Sequence, residues 1–342
     1  MKKKTFSMRE LAVFCRKSAF LFDAGLSITE IMPVLATQSS GRALCAIIFD
    51  LHKMIMQGES FSSALRITGA FPAFMCGFIA IGERTARVPE ACAKLADYYE
   101  NRVQTDEELK AAMLYPVIVA VSMLGVLIMA VTFVLPGYSR IFEASDIALP
   151  TATIMLLSFS DFFATNAHFV LVGIFIYVVC NICFFRSSLG RAFSSRISLK
   201  IPISRQKTNL NIAEALSLLL SSGLGISEAV STCGKIFDNS IVLNDLQKIS
   251  SQVDSGVAFW QSLSEISYIN PLLAELVRIG EETGKMPESL EKCVKYFQST
   301  YTHNVRRLNK LIEPILTITL GAILAAIMLA IILPTFELAT AI

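Results

Sequence analysis

Residues recur along this chain at one fixed offset of 198 positions. Gly25-Leu26 returns as Gly223-Leu224 (223 − 25 = 198), and Gly58 with Phe61 returns as Gly256 with Phe259. Ile81-Gly82-Glu83 returns as Ile279-Gly280-Glu281, Pro89-Glu90 as Pro287-Glu288, and Tyr98 as Tyr296. Pro116 pairs with Pro314, and Leu135-Pro136 with Leu333-Pro334, with no gap needed between the first pair and the last. Self-similarity at a constant period means two copies of one structural unit, which fixes the architecture before any element is assigned.

Each copy ends in a run long enough to cross a bilayer. Charge-free stretches lie between Lys110 and Arg140, Asp161 and Arg186, and Glu313 and Glu337. About 20 helical residues at about 1.5 Å each span a hydrocarbon core of about 30 Å. A composition 54% hydrophobic and 17% charged, with mean hydropathy +0.57, fits polar domains joined to apolar spans. The net charge of +2 gives no reason to expect a nucleic-acid partner. A cleaved leader is not expected, because Arg16 and Lys17 interrupt the apolar region that would follow Lys2-Lys3-Lys4.

Lys and Arg placement sets the expected orientation. Basic residues crowd before the first span and again at 186–207, where Arg186, Arg191, Arg196, Lys200, Arg205 and Lys207 meet no acidic residue. The loop 137–161 has Arg140 against Glu143, Asp146 and Asp161, and the tail after the last span has no basic side chain. The N-terminus is therefore expected in the cytoplasm and the C-terminus in the periplasm. The repeat agrees: two copies facing one way, each followed by an outward span, require one inward crossing between them. The expected order is a cytoplasmic helical bundle at 1–110, a span at 111–136, a periplasmic loop at 137–161 and a span at 162–185. A basic linker at 186–207, a second bundle at 208–311, a span at 312–334 and a periplasmic tail at 335–342 complete it. Pro116 and Pro314 mark the starts of the repeated spans and Pro136 and Pro334 their ends.

The fold class is all-α. Ser7 with Glu10, and Ser27 with Glu30, have capping-box spacing. Leu11, Phe14, Cys15 and Ser18 fall on one helical face. Gly25 and Gly223 suit the left-handed position that closes a first helix. Further helices are expected at about 42–57, 61–67 and 72–85, and at 240–254, 258–265 and 271–283. A last helix starts near Pro89 or Pro287 and continues toward the membrane.

The densest punctuation lies at the corner before that last helix. Gly280, Glu281, Gly284 and Pro287 form it in the second copy; the first keeps Gly82, Glu83 and Pro89 but has Ala86 for the terminating glycine. A carboxylate near a helix C-terminus is unfavourable, so Glu83 and Glu281 each call for a compensating partner. An Arg or Lys of the same bundle would make the corner structural; a docked protein would make it functional.

Chemistry is sparse. Gly234-Lys235 is followed by Ile236 and is not a phosphate loop. His52, His168 and His303 are scattered, so no metal or cofactor site is expected. Cys180 and Cys183 form a CxxC inside a span, where thiols pack as small apolar groups, and the other six cysteines fall in reducing-side domains without expected disulfides. The spans lack the carboxylates of an intramembrane peptidase, so no catalytic residue is expected. A subunit of an oligomeric transporter or channel is the alternative, but the spans offer chiefly Ser122, Thr132, Asn181, Thr317 and Thr319 as polar groups.

The duplicated G-E-x-[ST]-x-x-x-P-E corner, the spans opening Tyr115-Pro116 and Glu313-Pro314, the endings Val134-Leu135-Pro136 and Ile332-Leu333-Pro334, and Leu189-Gly-Arg with Leu199-Lys-Ile-Pro202 together carry a resemblance. Nearly the whole chain resembles the inner-membrane platform proteins of type II secretion and type IV pilus machines (the GspF/PilC type). With its first bundle beginning near Ser7, it looks closest to the shorter type IVb pilus members. The resemblance implies a non-enzymatic, multi-pass protein of the bacterial inner membrane. It also implies partners: a hexameric assembly ATPase in the cytoplasm, pilin or pseudopilin subunits, other inner-membrane assembly proteins, and further copies as a dimer or trimer.

Overall fold

Six helices form in the same order in each repeat, and five of them begin 198 residues apart in the two copies. The computed structural model describes residues 5–39, 41–129, 195–237 and 239–340. In repeat 1 the helices are α1 (Met8–Asp23), α2 (Ile28–Thr37), α3 (Arg42–Met56), α4 (Phe61–Thr68), α5 (Ala73–Arg84) and α6 (Val88–Met129). In repeat 2 they are α7 (Pro202–Ser221), α8 (Ile226–Gly234), α9 (Ser240–Asp254), α10 (Phe259–Ser264), α11 (Pro271–Thr283) and α12 (Met286–Thr340). Among the described residues every element is helical. Helix α7 starts at Pro202, inside the segment read from sequence as linker, because proline fits a first helical turn.

Local chemistry explains the boundaries. Ser7 and Glu10 form a complete capping box at α1, and Ser27 pairs with Glu30 at α2. Gly25 and Gly223, both at φ 86°, turn the chain out of α1 and α7, as their positions in the sequence lead one to expect. Leu11, Phe14, Cys15 and Ser18 are buried along one stripe of α1. Arg16 reaches from α1 to α6, its Nε donating to Glu100 at 2.8 Å.

The chain divides into two units: Met1–Glu108 with Arg191–His303, and Leu109–Gly190 with Asn304–Ile342. Both bundles belong to the first. In the second, α6 and α12 each carry apolar stretches, of mean hydropathy 1.9 and 1.5, long enough to cross a membrane and almost wholly uncovered by protein. Val121 at 64% and Ile318 at 72% are the most exposed of the described apolar side chains there. Apolar surface of that extent needs a lipid or protein cover. Repeat-equivalent residues meet here: the Tyr115 hydroxyl lies 3.4 Å from Glu313.

Pro116 and Pro314 lie inside continuous helices, α6 and α12, which run unbroken from their bundles. Helix α12 also passes Pro334 and ends at Thr340. A proline within a helix removes one backbone hydrogen bond without necessarily ending it. Pro136, the loop 137–161, the span 162–185 and Cys180 with Cys183 lie outside the described residues.

Candidate functional site

The duplicated corner is built from a close helix approach. A Cβ placed on Gly82 would come within 2.8 Å of the Ala91 Cβ, and one on Gly280 within 2.9 Å of the Met286 Cα. Only glycine lets α5 and α11 sit this near the start of the helix that follows. After the glycine comes the carboxylate, and it has a partner within its own bundle. Glu83 accepts hydrogen bonds from the Phe61 amide at 2.6 Å, the Ser62 amide at 3.3 Å and the Ser62 hydroxyl. Glu281 accepts from the Phe259 amide at 3.0 Å and the Trp260 amide at 3.2 Å.

Those amides are the unsatisfied donors at the starts of α4 and α10. The compensation required at one helix C-terminus is therefore supplied by another helix's positive N-terminus, not by Arg or Lys. Helix α10 depends on it more: its N-cap is Ala258, whereas Ser60 caps α4 through the Ser63 amide at 3.2 Å. Sequence reasoning missed this role. A signal was available in the constant 22-residue spacing from Phe61 to Glu83 and from Phe259 to Glu281.

Beyond the carboxylates the chain turns through left-handed residues. Gly284 has φ 69°, and Ala86 adopts φ 55° at the equivalent place. The Arg87 amide bonds to the Gly82 carbonyl at 2.7 Å and the Ala86 amide to that of Glu83 at 3.2 Å, closing α5 in a Schellman arrangement. Pro89 and Pro287 then take the second positions of α6 and α12.

The two corners differ in what covers them. Repeat 2 packs α7 and α8 onto α5 and α6 of repeat 1. Arg84 reaches Glu228 at 2.9 Å, and Lys94 donates to the Ser221 carbonyl at 2.9 Å. Lys207 reaches Asp106 at 2.8 Å. In this setting Ile81 and Tyr98 are each 6% exposed. Their equivalents Ile279 and Tyr296 are 41% and 53% exposed. The second corner, with Gly280, Glu281, Gly284 and Pro287, is the one with an open flank.

Charge is partly buried between the repeats. Arg102 donates to the Tyr98 hydroxyl at 2.7 Å and lies over its ring. Burial pushes the Glu214 carboxyl up to about 7, against the opposing pull of Arg102 and Lys207. Burial likewise pushes the Cys233 thiol up to about 12, leaving it protonated and unreactive. Among the described residues no three His, Cys, Asp or Glu side chains are grouped to hold a metal ion.

A family model for the type II secretion system (T2SS) protein F matches twice, at residues 14–136 and 212–334. The matches are themselves 198 residues apart (212 − 14 = 198), and each runs from within the first helix of a bundle into the helix that leaves it. The chain belongs to the type II secretion system protein F family. Members of the protein F family are membrane platform proteins, not enzymes. The chain is similar to a type II secretion system protein F of Pseudomonas aeruginosa, 28% identical over 97% of this chain and 83% of that protein. It is 26% identical to a type IV pilus assembly protein PilC of Thermus thermophilus, covering 97% and 83% of the two chains. A protein transport protein HofC homolog of Escherichia coli is also 26% identical, covering 94% and 82%.

Proposed function

We propose that this protein F family member is the inner-membrane platform of a type IV pilus or type II secretion machine, coupling a cytoplasmic assembly ATPase to extraction of pilin or pseudopilin subunits from the bilayer. The observation that carries this reading is helix continuity. Each Gly-Glu corner opens directly into one unbroken helix, α6 or α12, that continues into exposed apolar sequence. A push at the corner acts on a stiff element rather than on a loop. The open flank around Ile279, Tyr296 and the exposed Lys285 is the ATPase contact in this scheme. The topology that goes with it has three spans, a cytoplasmic N-terminus and a periplasmic C-terminus, with further copies and other inner-membrane assembly proteins completing the platform.

Co-purification from membranes tests the partners. The full chain should retain the cognate ATPase and pilin, and Lys285→Glu with Tyr296→Ala should lose the ATPase while membrane levels stay normal. Because Glu281 caps α10, its reversal would confuse docking with folding; these two exposed residues do not. Retention of the ATPase by that variant would reject the proposed contact. A reporter after Ile342 should read periplasm and one near Ser195 cytoplasm; the opposite C-terminal signal would reject the topology.

A further inference from the structure

We propose that repeat 2 carries an oxyanion site, a cleft beside α7 that takes the phosphate group of a small organic phosphate monoester. The cleft has a volume of about 270 Å³. Its lining includes Lys200 and Arg205 near the start of α7, Asn270 at the head of α11, and Tyr296, Phe297 and Thr300 of α12. No carboxylate lines it, and among the described residues neither Lys200 nor Arg205 has an ion pair.

Repeat 1 has no counterpart. At the places of Arg205, Gln206, Asn209 and Asn270 it has Ser7, Met8, Leu11 and Pro72. The third exchange is the informative one, because Asn209 is 2% exposed where Leu11 is 1% exposed. A buried amide in place of leucine is costly unless its polar atoms find partners. Asn209 finds three. Its Nδ2 donates to the Arg205 carbonyl at 2.8 Å and the Tyr268 carbonyl at 2.9 Å, and its Oδ1 accepts from the Asn270 amide at 2.8 Å. It thereby ties the start of α7 to the head of α11 and fixes the backbone from which Arg205 and Asn270 reach the cleft.

The donors that remain select the ligand. Asn270 Oδ1 accepts from the Leu272 amide at 2.9 Å, which leaves its NH2 group without a partner among the described residues. Arg205 donates through Nε to the Tyr268 carbonyl at 2.8 Å and through Nη2 to the Ile269 carbonyl at 3.3 Å. Neutral carbonyls hold the guanidinium in place without cancelling its charge. Arg196, four residues before Lys200 in the helical run 195–200, adds a further positive charge on the same face. A phosphate monoester carries about −1.5 to −2 charges and three acceptor oxygens at neutral pH, which suits Lys200, Arg205, the Asn270 amide and the Thr300 hydroxyl better than a singly charged carboxylate does. The cleft also has apolar walls, Pro202 and the ring of Phe297, against which the organic part can lie. The inference requires no ATPase, pilin or bilayer, and Tyr296, which the proposed ATPase contact also uses, stays unchanged in its test.

Titration calorimetry on the full chain in maltoside detergent and phosphate-free buffer provides that test. Glycerol 3-phosphate should bind saturably, one molecule per chain, and more tightly than inorganic phosphate. Lys200→Gln with Thr300→Val should weaken binding about tenfold or more while the thermal midpoint stays near the wild type, and Lys200→Arg should keep it. Hydrogen exchange should slow in 200–206 and 270–272 on adding glycerol 3-phosphate, with 28–56 unchanged. Absence of saturable binding at millimolar concentrations would overturn the proposal, as would undiminished binding by the double variant. Tighter binding of inorganic phosphate would make the cleft a free-phosphate site, and equal binding of the dicarboxylate glutarate would make it a carboxylate site; either result rejects the assignment.

Discussion

The two bundles share helix starts, capping glutamates and the Gly-Glu corner, yet they meet the rest of the chain with opposite faces. Repeat 1 contributes its fifth and sixth helices to the contact between them, and repeat 2 its first and second. The interface is head-to-tail, so each bundle is left with one face that its twin uses and it does not. Repeat 2's unused face is chemically altered. Where repeat 1 has Gly77, close to the Thr232 methyl, repeat 2 has Glu275; where repeat 1 has Arg84, which pairs with Glu228, it has Glu282. Another bundle docking there as repeat 2 docks on repeat 1 would set Glu282 against the equivalent of Glu30. The contact is thus discouraged from propagating, and Ile279 and Tyr296 are left for something other than a third bundle. Duplication supplies one scaffold twice; a few substitutions decide which copy is covered.

What the copies share gives the largest expected effects. Gly82→Val and Gly280→Val each force a side chain into the start of the following helix, where Ala91 or the Met286 backbone stands in the way. Overpacking of this kind costs about 3 kcal/mol or more. In a two-bundle unit that lowers the thermal midpoint by about 6–12 °C, measurable on detergent-purified protein. Equal loss in both copies would confirm that the corner does the same work twice.

The capping glutamates should separate the copies. Glu281→Ala strands two amides at the start of α10 with Ala258 as the only N-cap residue, and should cost about 2 kcal/mol. Glu83→Ala should cost about 1 kcal/mol, since Ser60 still caps α4. Thermal unfolding of the two variants reads the difference, and an equal loss would mean that Ser60 contributes nothing.

Much of this was legible in the sequence because it is local or repeated. Capping boxes, left-handed glycines and helix starts depend on residues three or four apart, and the fixed offset checked each against its twin. The Gly-Glu-Pro punctuation was found for the same reason. What escaped is non-local. Glu83 reaches back 22 residues to cap a helix, and Arg84 crosses 144 positions to Glu228. Helical periodicity encodes neither contact, and only the repeated 22-residue spacing marks the first. The open flank at Ile279 and Tyr296 was hidden too, because the equivalent Ile81 and Tyr98 read alike in sequence until packing covers one pair and not the other.

Glu214 makes the contact between the bundles sensitive to pH. Its carboxyl moves from an ordinary value of 4.5 to about 7 on folding, so the folded chain holds the proton more tightly. Stability is then full below about 4.5, falls as pH rises from there to about 7, and is level above. The upper bound is about 3 kcal/mol, reduced to about 1–2 kcal/mol because the side chain is partly solvated. Glu214→Gln should flatten thermal stability across that window and raise it at pH 8. A wild-type midpoint that does not fall between pH 5 and 7 would show that Arg102 and Lys207 outweigh burial.

The smallest effect tests the one place among the described residues where repeat 1 holds a non-glycine residue at positive φ and repeat 2 does not. Ala86 sits at φ 55°, a left-handed conformation that crowds its Cβ against the following carbonyl at a cost of about 1–2 kcal/mol. Gly284 occupies the same turn without a Cβ. Glycine also loses more freedom on folding, which offsets roughly 0.5–1 kcal/mol of any gain. Ala86→Gly should therefore stabilise the chain by about 0.5–1 kcal/mol, a rise of about 1–3 °C, and Gly284→Ala should lower it by a similar amount. Both residues are exposed and no atom lies within 4 Å of where a Cβ on Gly284 would stand, so packing does not enter. The swap of both residues should leave the midpoint near the wild type. If instead Ala86→Gly destabilises, entropy outweighs strain at this turn, and the alanine makes the first corner stiffer than the second.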